Sequence, residues 1–465
     1  MRRRLRAAAL LTGTLLALGA ALALVTGLTP PSLTDSRLTG PARAPLRLDG
    51  GEAGTLRLYG PSGAVGRVVV ALSDGTGWDS ADDGMARALA GDGALVAGID
   101  LREMAAALNH QTDGCHWISG KLEAVSRLAQ QHEGLPHYLT PVLLGRGAGG
   151  MVAYGAAVQG LGGMFAGALA LRPGATMPFV APICLGVDSV AVPGGRRYPP
   201  LDRQETPVTL LEAGAESVAG RGIERLKGAA DMADLRRRVA ALAPAQEDGA
   251  AAGDLPVVEL PAERPGDTLV LFWSGDGGWR DIDATIGEAL AAAGVPVLGI
   301  DSFSYFWHRR SPAEVARDME TLIRRQGARW GARRVVLIGF SFGAAILPAA
   351  VNALPAETRA QVDALWLLSP DRNADWEINV AAYLGGDGDG ASPVAPELAG
   401  LRGLPVHCVL GSAESADSLC TDPGATGLIP LELPGDHHFD GDYEAVVQAI
   451  LASLRSRQHA PVGAG

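Results

Sequence analysis

The chain carries one pattern twice, and that duplication limits its fold more than any other feature. Val68-Val-Val-Ala-Leu-Ser-Asp-Gly-Thr-Gly-Trp78 resembles Leu269-Val-Leu-Phe-Trp-Ser-Gly-Asp-Gly-Gly-Trp279. Each tryptophan is followed 22 residues later by the aspartate of an Ile-Asp pair, Asp100 or Asp301. Leu143-Leu-Gly-Arg-Gly-Ala-Gly149 then mirrors Leu337-Ile-Gly-Phe-Ser-Phe-Gly343, and Gly214-Ala-Glu-Ser217 mirrors Ser412-Ala-Glu-Ser415. Four landmarks in the same order mark two copies of one domain. A length of 465 residues, 47% of them hydrophobic, is enough to bury two cores.

Within each copy, short apolar runs alternate with longer helical stretches. In the second copy the strand candidates are Thr268–Trp273, Val295–Ile300, Arg334–Ile338, Ala364–Leu368, Val406–Leu410 and Leu428–Leu433. Unbroken apolar runs suit strands covered on both faces of a parallel sheet. Helical patterns such as 311–326 lie between them, with Ser311-Pro312-Ala313-Glu314 as a start signal. The expected fold class is therefore α/β: two tandem doubly wound domains with mostly parallel sheets. The expected boundaries are 51–225 for the first domain, 226–266 for a linker, 267–456 for the second domain and 457–465 for a tail.

Upstream, Met1 to Arg6 holds four arginines, and Ala7 to Leu28 holds no charge. A basic segment before an apolar run is an export signal, and residues 1–28 fit a cleaved peptide and an uncleaved inner-membrane anchor equally. Residues 29–50, with Pro30, Pro31, Pro41 and Pro45, read as a tether. Cysteines 115, 184, 408 and 420 divide two and two between the copies. An even number after an export signal predicts two disulfides in an oxidising space, with Cys408–Cys420 closing one loop and Cys115 and Cys184 left to the first copy.

The most informative motif is Gly339-Phe340-Ser341-Phe342-Gly343. It follows an apolar strand and precedes the apolar stretch 344–354, the setting of a nucleophile elbow, in which a strained turn lifts a serine hydroxyl clear of the sheet. Ser341 is the candidate nucleophile. The Phe342 N–H, at a helix start, is a candidate oxyanion donor. A second donor is expected from Ser274-Gly-Asp-Gly-Gly-Trp279, at Gly275 or Asp276. Asp276 also reads as a polar substrate contact or a simple turn residue. Base and acid must follow in the order Ser, Asp/Glu, His. Leu433-Pro-Gly-Asp-His-His-Phe439 supplies two histidines, and the run Pro-Gly-x-x-His-Phe favours His438 over His437. For the acid, the loop after Val406–Leu410 holds Glu414 and Asp417, with Asp417, beside Cys420, slightly preferred and Asp371 a third option.

The first copy lacks this chemistry. Gly147 stands where Ser341 would be, and no histidine follows His137 until His308. Gly145, Gly147 and Gly150 satisfy Gly-x-Gly-x-x-Gly. No acidic residue follows from Met151 to Val187 to hold a ribose, so dinucleotide binding is not expected. A degenerate copy used for packing, substrate capture or partner docking is expected instead. Asp387-Gly-Asp-Gly390 lacks the glutamate that a calcium loop needs at its twelfth position, Leu398, and reads as a surface loop. Neither Cys-x-x-Cys nor His-Glu-x-x-His occurs, so no metal and no cofactor are expected. Lys+Arg 39 against Asp+Glu 51 gives a net charge of −12, which disfavours nucleic acid as a partner. Phe303, Tyr305, Phe306 and Trp307 are read both as a membrane-facing or lid surface and as core.

Ser274-Gly-Asp-Gly-Gly-Trp-Arg-Asp281, Gly339-Phe-Ser-Phe-Gly343, Asp417-Ser-Leu-Cys420 and His437-His-Phe439 together resemble the VirJ/AcvB family of bacterial virulence proteins, within the α/β-hydrolase superfamily. The resemblance covers roughly Asp267 to Leu454, and the degenerate copy ahead of it is similar to the longer, two-domain branch of the family. It implies two α/β-hydrolase-like domains and a periplasmic serine esterase hydrolysing lysyl-phosphatidylglycerol at the membrane surface. It also implies association with type IV secretion components. The family's serine, histidine and acid carry over to Ser341, to His437 or His438, and to Asp417 or Glu414. The competing expectation is a non-catalytic periplasmic chaperone or secretion accessory in which both copies only bind.

Overall fold

The computed structural model describes residues 42–458 apart from 112–113, 204, 213, 215–218, 229–230, 245–254, 379–390 and 415–417. The export segment, most of the tether, the tail beyond 458, the Asp387–Gly390 loop and Asp417 lie outside the described residues, as does half of the Gly214/Ser412 landmark pair.

Two sheets carry the fold. The first contains β1 (Leu46–Asp49), β2 (Thr55–Tyr59), β3 (Arg67–Leu72), β4 (Ala94–Ile99), β5 (Val142–Arg146), β6 (Gly167–Leu171), β7 (Val208–Leu211) and β8 (Glu224–Arg225). The second contains β9 (Val257–Leu260), β10 (Thr268–Trp273), β11 (Val297–Ile300), β12 (Arg334–Phe340), β13 (Val362–Leu368), β14 (Val406–Gly411) and β15 (Leu428–Leu433). Their spatial orders are β1-β2-β4-β3-β5-β6-β7-β8 and β9-β11-β10-β12-β13-β14-β15. Without β1, the two orders are the same. The duplication extends to register: β9 and β2 are each antiparallel to their neighbour, and the other pairs in both sheets, β1–β2 apart, are parallel.

The strands form where the apolar runs lie, because β10, β11 and most of β12 are buried on both faces. The β11 strand begins at Val297 rather than Val295, since Pro296 has no N–H to give to a ladder. Helix Pro312–Trp330 opens on a Ser311/Glu314 capping box with proline in its first turn, and Gly331 ends it in the left-handed region at φ 72°.

Residues 226–266 differ from the linker expected there. Helix Met232–Leu242 buries Leu235 and Val239 in the first unit's core, and Val257–Leu260 joins the second sheet as β9. An amphipathic helix has an apolar face to bury, so it docks rather than spans. The expected tether likewise ends early, because Leu46–Asp49 pairs with β2. The units are also joined by one apolar cluster that runs from Leu56 and Leu122 to Phe303, Trp307 and Leu347.

Candidate active site

Ser341 sits at the C-terminal end of β12, the central strand of its sheet, where α/β folds place ligands. Its backbone is at φ 50°, ψ −115°, a conformation that costs a non-glycine residue of order 1–3 kcal/mol. The turn is over-determined. Ser341 N–H donates to the Leu368 carbonyl at 2.8 Å, and a side chain at Gly343 would strike the Trp273 and Ser274 carbonyls. Strain held this firmly marks a functional position. Gly147 of the first unit holds almost the same angles, φ 51° and ψ −119°, so the elbow survives there without its hydroxyl.

The first unit also shows what the elbow is built to hold. Asp74 Oδ1 accepts from Gly75 N–H at 2.7 Å and from Ala148 N–H at 3.0 Å. A carboxylate thus fills the anion hole of that unit, and a side chain at Gly147 would collide with it. By the shared register, the donors that correspond in the second unit are Asp276 N–H and Phe342 N–H. Gly275 takes the place of Asp74, so no side chain from that position enters the hole, and the Asp276 N–H lies beside its own carboxylate. Gly275, the alternative donor, stands in this register where Asp74 stands rather than where a donor does, and its N–H favours the charged form of the buried Asp283 carboxyl. Burial raises the Asp283 carboxyl well above its usual range, while the Gly275 and Arg280 N–H groups oppose that rise. Asp283 is therefore a buried carboxyl influenced from both ends of the loop 275–280, which its place in a helical run did not signal.

The base and acid come from two loops fastened to each other. Ser412 N–H donates to the Leu433 carbonyl at 2.8 Å and Ala413 N–H to the Gly435 carbonyl at 2.9 Å. This brings His437 Nδ1 into a hydrogen bond with Glu414 Oε1. The preference for His438 is therefore corrected. His438 Nδ1 lies 3.8 Å from Asp281 Oδ2, and among the described residues Glu414 pairs with His437 alone. Phe340, next to the serine, contacts both rings, with centroids 5.2 Å from His437 and 5.3 Å from His438. The two rings also pack on each other, with centroids 5.7 Å apart, so chain spacing could not choose between them and the carboxylate partner does.

The electrostatics follow from this pairing. Burial works against a charged imidazole, but the Glu414 hydrogen bond and charge outweigh it and raise the His437 pKa. Burial likewise opposes the Glu414 carboxylate, and His437 more than compensates, lowering its pKa. His438 is pushed down by burial and by the neighbouring His437. Ser369, unflagged by sequence, steadies the arrangement: its hydroxyl donates to the His437 carbonyl at 3.1 Å and adjoins Glu414. Asp276, Asp371 and Asp375 form a group of carboxyls around the pair. Burial raises each of them, and Asp276 further raises both Asp371 and Asp375.

The disulfides Cys115–Cys184 and Cys408–Cys420 both form, the second closing the loop that carries Glu414. Phe303, Tyr305, Phe306 and Trp307 do not face a membrane or form a lid: all four are at most 3% exposed. Among the described residues, no helix is long and apolar enough to cross a membrane, and no group of three His, Cys, Asp or Glu side chains is arranged to hold a metal.

Residues 267–458 match the bacterial virulence protein (VirJ) family. No curated protein matches the chain. Among solved structures, the chain is similar to Est1E from Butyrivibrio proteoclasticus with ferulic acid bound, at 14% identity and a TM-score of 0.34, over 44% of this chain and 96% of that one. It is similar to a probable hydrolytic enzyme from Pseudomonas aeruginosa PAO1 at 16% identity and 0.31, over 43% and 88%. MenH from S. aureus aligns at 13% identity and 0.33, over 44% and 99%.

Proposed function

On the premise that its second unit is of the VirJ family, we propose that the protein is a serine esterase acting on the aminoacyl ester of lysyl-phosphatidylglycerol. The observation that carries the reading is the His437–Glu414 pair set beside a strained Ser341 elbow. Ser341 Oγ attacks the ester carbonyl and His437 takes its proton. The Phe342 and Asp276 N–H groups hold the developing oxyanion, and Glu414 holds the imidazolium. The lipid alcohol leaves with the proton from His437. Water, activated by the same ring, then releases lysine from Ser341.

The substrate class draws support from charge. Asp276 and Asp371 both act on His437, and a cationic acyl group such as lysyl would offset the burial that disfavours their charge. The family match and two disulfides support a periplasmic setting, where an N-terminal anchor would keep the enzyme at its lipid. Vesicles containing lysyl-phosphatidylglycerol test the reading. The unaltered chain releases free lysine, and Ser341→Ala lowers that rate by on the order of 10⁴-fold or more. Normal release by Ser341→Ala would remove Ser341 as the nucleophile, and no release by the unaltered chain would leave the protein as a binding accessory of secretion rather than an esterase.

A further inference from the structure

The serine-free first unit reaches the chemistry of the second. Its helix Ile118–His132 presents Glu123 and Arg127, with side chains 6% and 4% exposed. Glu123 Oε2 pairs with Arg127 at 3.0 Å, and its other oxygen accepts from Arg280 of the second unit at 3.1 Å. Arg280 ends the loop whose Asp276 N–H corresponds to an oxyanion donor. Arg127 also stacks over Phe303, 4.2 Å from its centroid.

The other donor is backed from the same direction. Phe306 packs edge-on against Phe342 at 5.0 Å. The neighbouring Trp307 donates Nε1–H to the Leu135 carbonyl of the first unit at 2.8 Å, and Tyr138 packs on Phe303 at 4.7 Å.

Comparison of the two copies shows why such help is needed. In the first unit the equivalent loop is locked from within: Arg146, on the elbow, binds Asp82 at 2.6 Å and Asp79 at 2.8 Å. In the second unit Phe340 replaces that arginine and Arg280 replaces Asp79, so the internal lock is gone and Asp283 has lost its counter-ion. The loop's charge now faces outward, onto Glu123.

We infer that the first unit is a working part of the active site: Glu123, held by Arg127, clamps Arg280 and sets the loop that aims Asp276 N–H at the oxyanion. Glu123 and Arg280 are positioning residues, and the inference rests on the esterase reading above. Removing a whole oxyanion donor costs about 10²–10³ in rate, and displacing one costs less.

The test uses the full chain with p-nitrophenyl acetate and a fluorophosphonate that labels the nucleophilic serine. Arg280→Gln leaves the Glu123–Arg127 pair intact, so the first unit keeps its buried charges matched. The expected result is a kcat at least tenfold lower with KM within twofold, slower labelling of Ser341, and an unchanged melting temperature. Glu123→Gln should lower kcat in the same way, with a lower melting temperature because Arg127 loses its carboxylate, and the double variant should have a kcat no lower than either single one. Arg280→Gln with kcat within twofold of the unaltered chain overturns the clamp while leaving the esterase reading intact. No labelling of Ser341 in the unaltered chain overturns both.

Discussion

On the esterase reading, two neighbouring histidines have unequal roles, and the difference rests on their partners. His437 has a carboxylate behind its Nδ1, while His438 faces Asp281 across 3.8 Å. His437→Ala is therefore expected to lower esterase kcat by roughly 10³-fold or more, and His438→Ala by less than about tenfold, in steady-state assays on one ester. The pairing also sets a pH dependence. A base works only when neutral, and the His437 pKa is raised, so activity climbs with pH at values above the ordinary imidazole range near ~6.5. Glu414→Gln removes the main raising influence, so the acid limb of kcat/KM moves to lower pH while its plateau falls. An unmoved limb would show that Glu414 does not govern the titrating group. The folding contribution has the matching sign: stability from the raised His437 pKa is present below the unfolded value and lost as pH rises through the folded one. The serine and its glycines were legible in the sequence because a strained turn tolerates few residues. The histidine was not, since both rings pack on Phe340 and on each other, and only the Glu414 partner, brought from another loop, tells them apart.

At the scale of elements, the buried strands were the easiest to read. Their apolar runs are unbroken because both faces are covered, as in β10 and β12. Helix Met232–Leu242 falls where the span assigned to the linker begins charged and helical, with Arg236, Arg237 and Arg238 breaking its apolar residues, and Leu235 and Val239 suffice to dock it. The acid loop between β14 and the Cys420 turn is the element most dependent on a covalent tie. A disulfide closing a loop of this length contributes about 3 kcal/mol through the unfolded chain. Paired Cys408→Ser and Cys420→Ser changes are expected to lower the unfolding free energy by about that amount. They should also reduce kcat several-fold, since Glu414 loses its fixed loop. Chemical denaturation followed in parallel with turnover checks both effects. Full activity in the paired variant would mean that the fastening to the histidine loop alone holds the acid.

Across the whole molecule, the duplicated plan was visible in four landmarks, but the use made of the first copy was not. Glu123 and Arg280 are 157 residues apart in the chain, and no local pattern links them. The aromatic run 303–307 was ambiguous for the same reason, since Tyr138 and Leu135, which it meets, belong to the other copy. The first unit's own site is closed twice over, by a glycine at the nucleophile position and by the Asp74 carboxylate. Gly147→Ser in a Ser341→Ala background is therefore expected to give no fluorophosphonate labelling and no turnover. Labelling at position 147 would show the hole to be open.

Asp74 has a consequence for how such a protein can change over generations. With its oxygen seated on two peptide N–H groups, the old turn keeps its dipoles matched and no longer depends on a reacting guest. A lone reversion at 147 meets a blocked space, and a lone loss of Asp74 uncovers a hole with nothing to serve it. Because neither first step is rewarded, the silent half is free to drift toward its newer task of bracing its twin, and the way back narrows with each substitution.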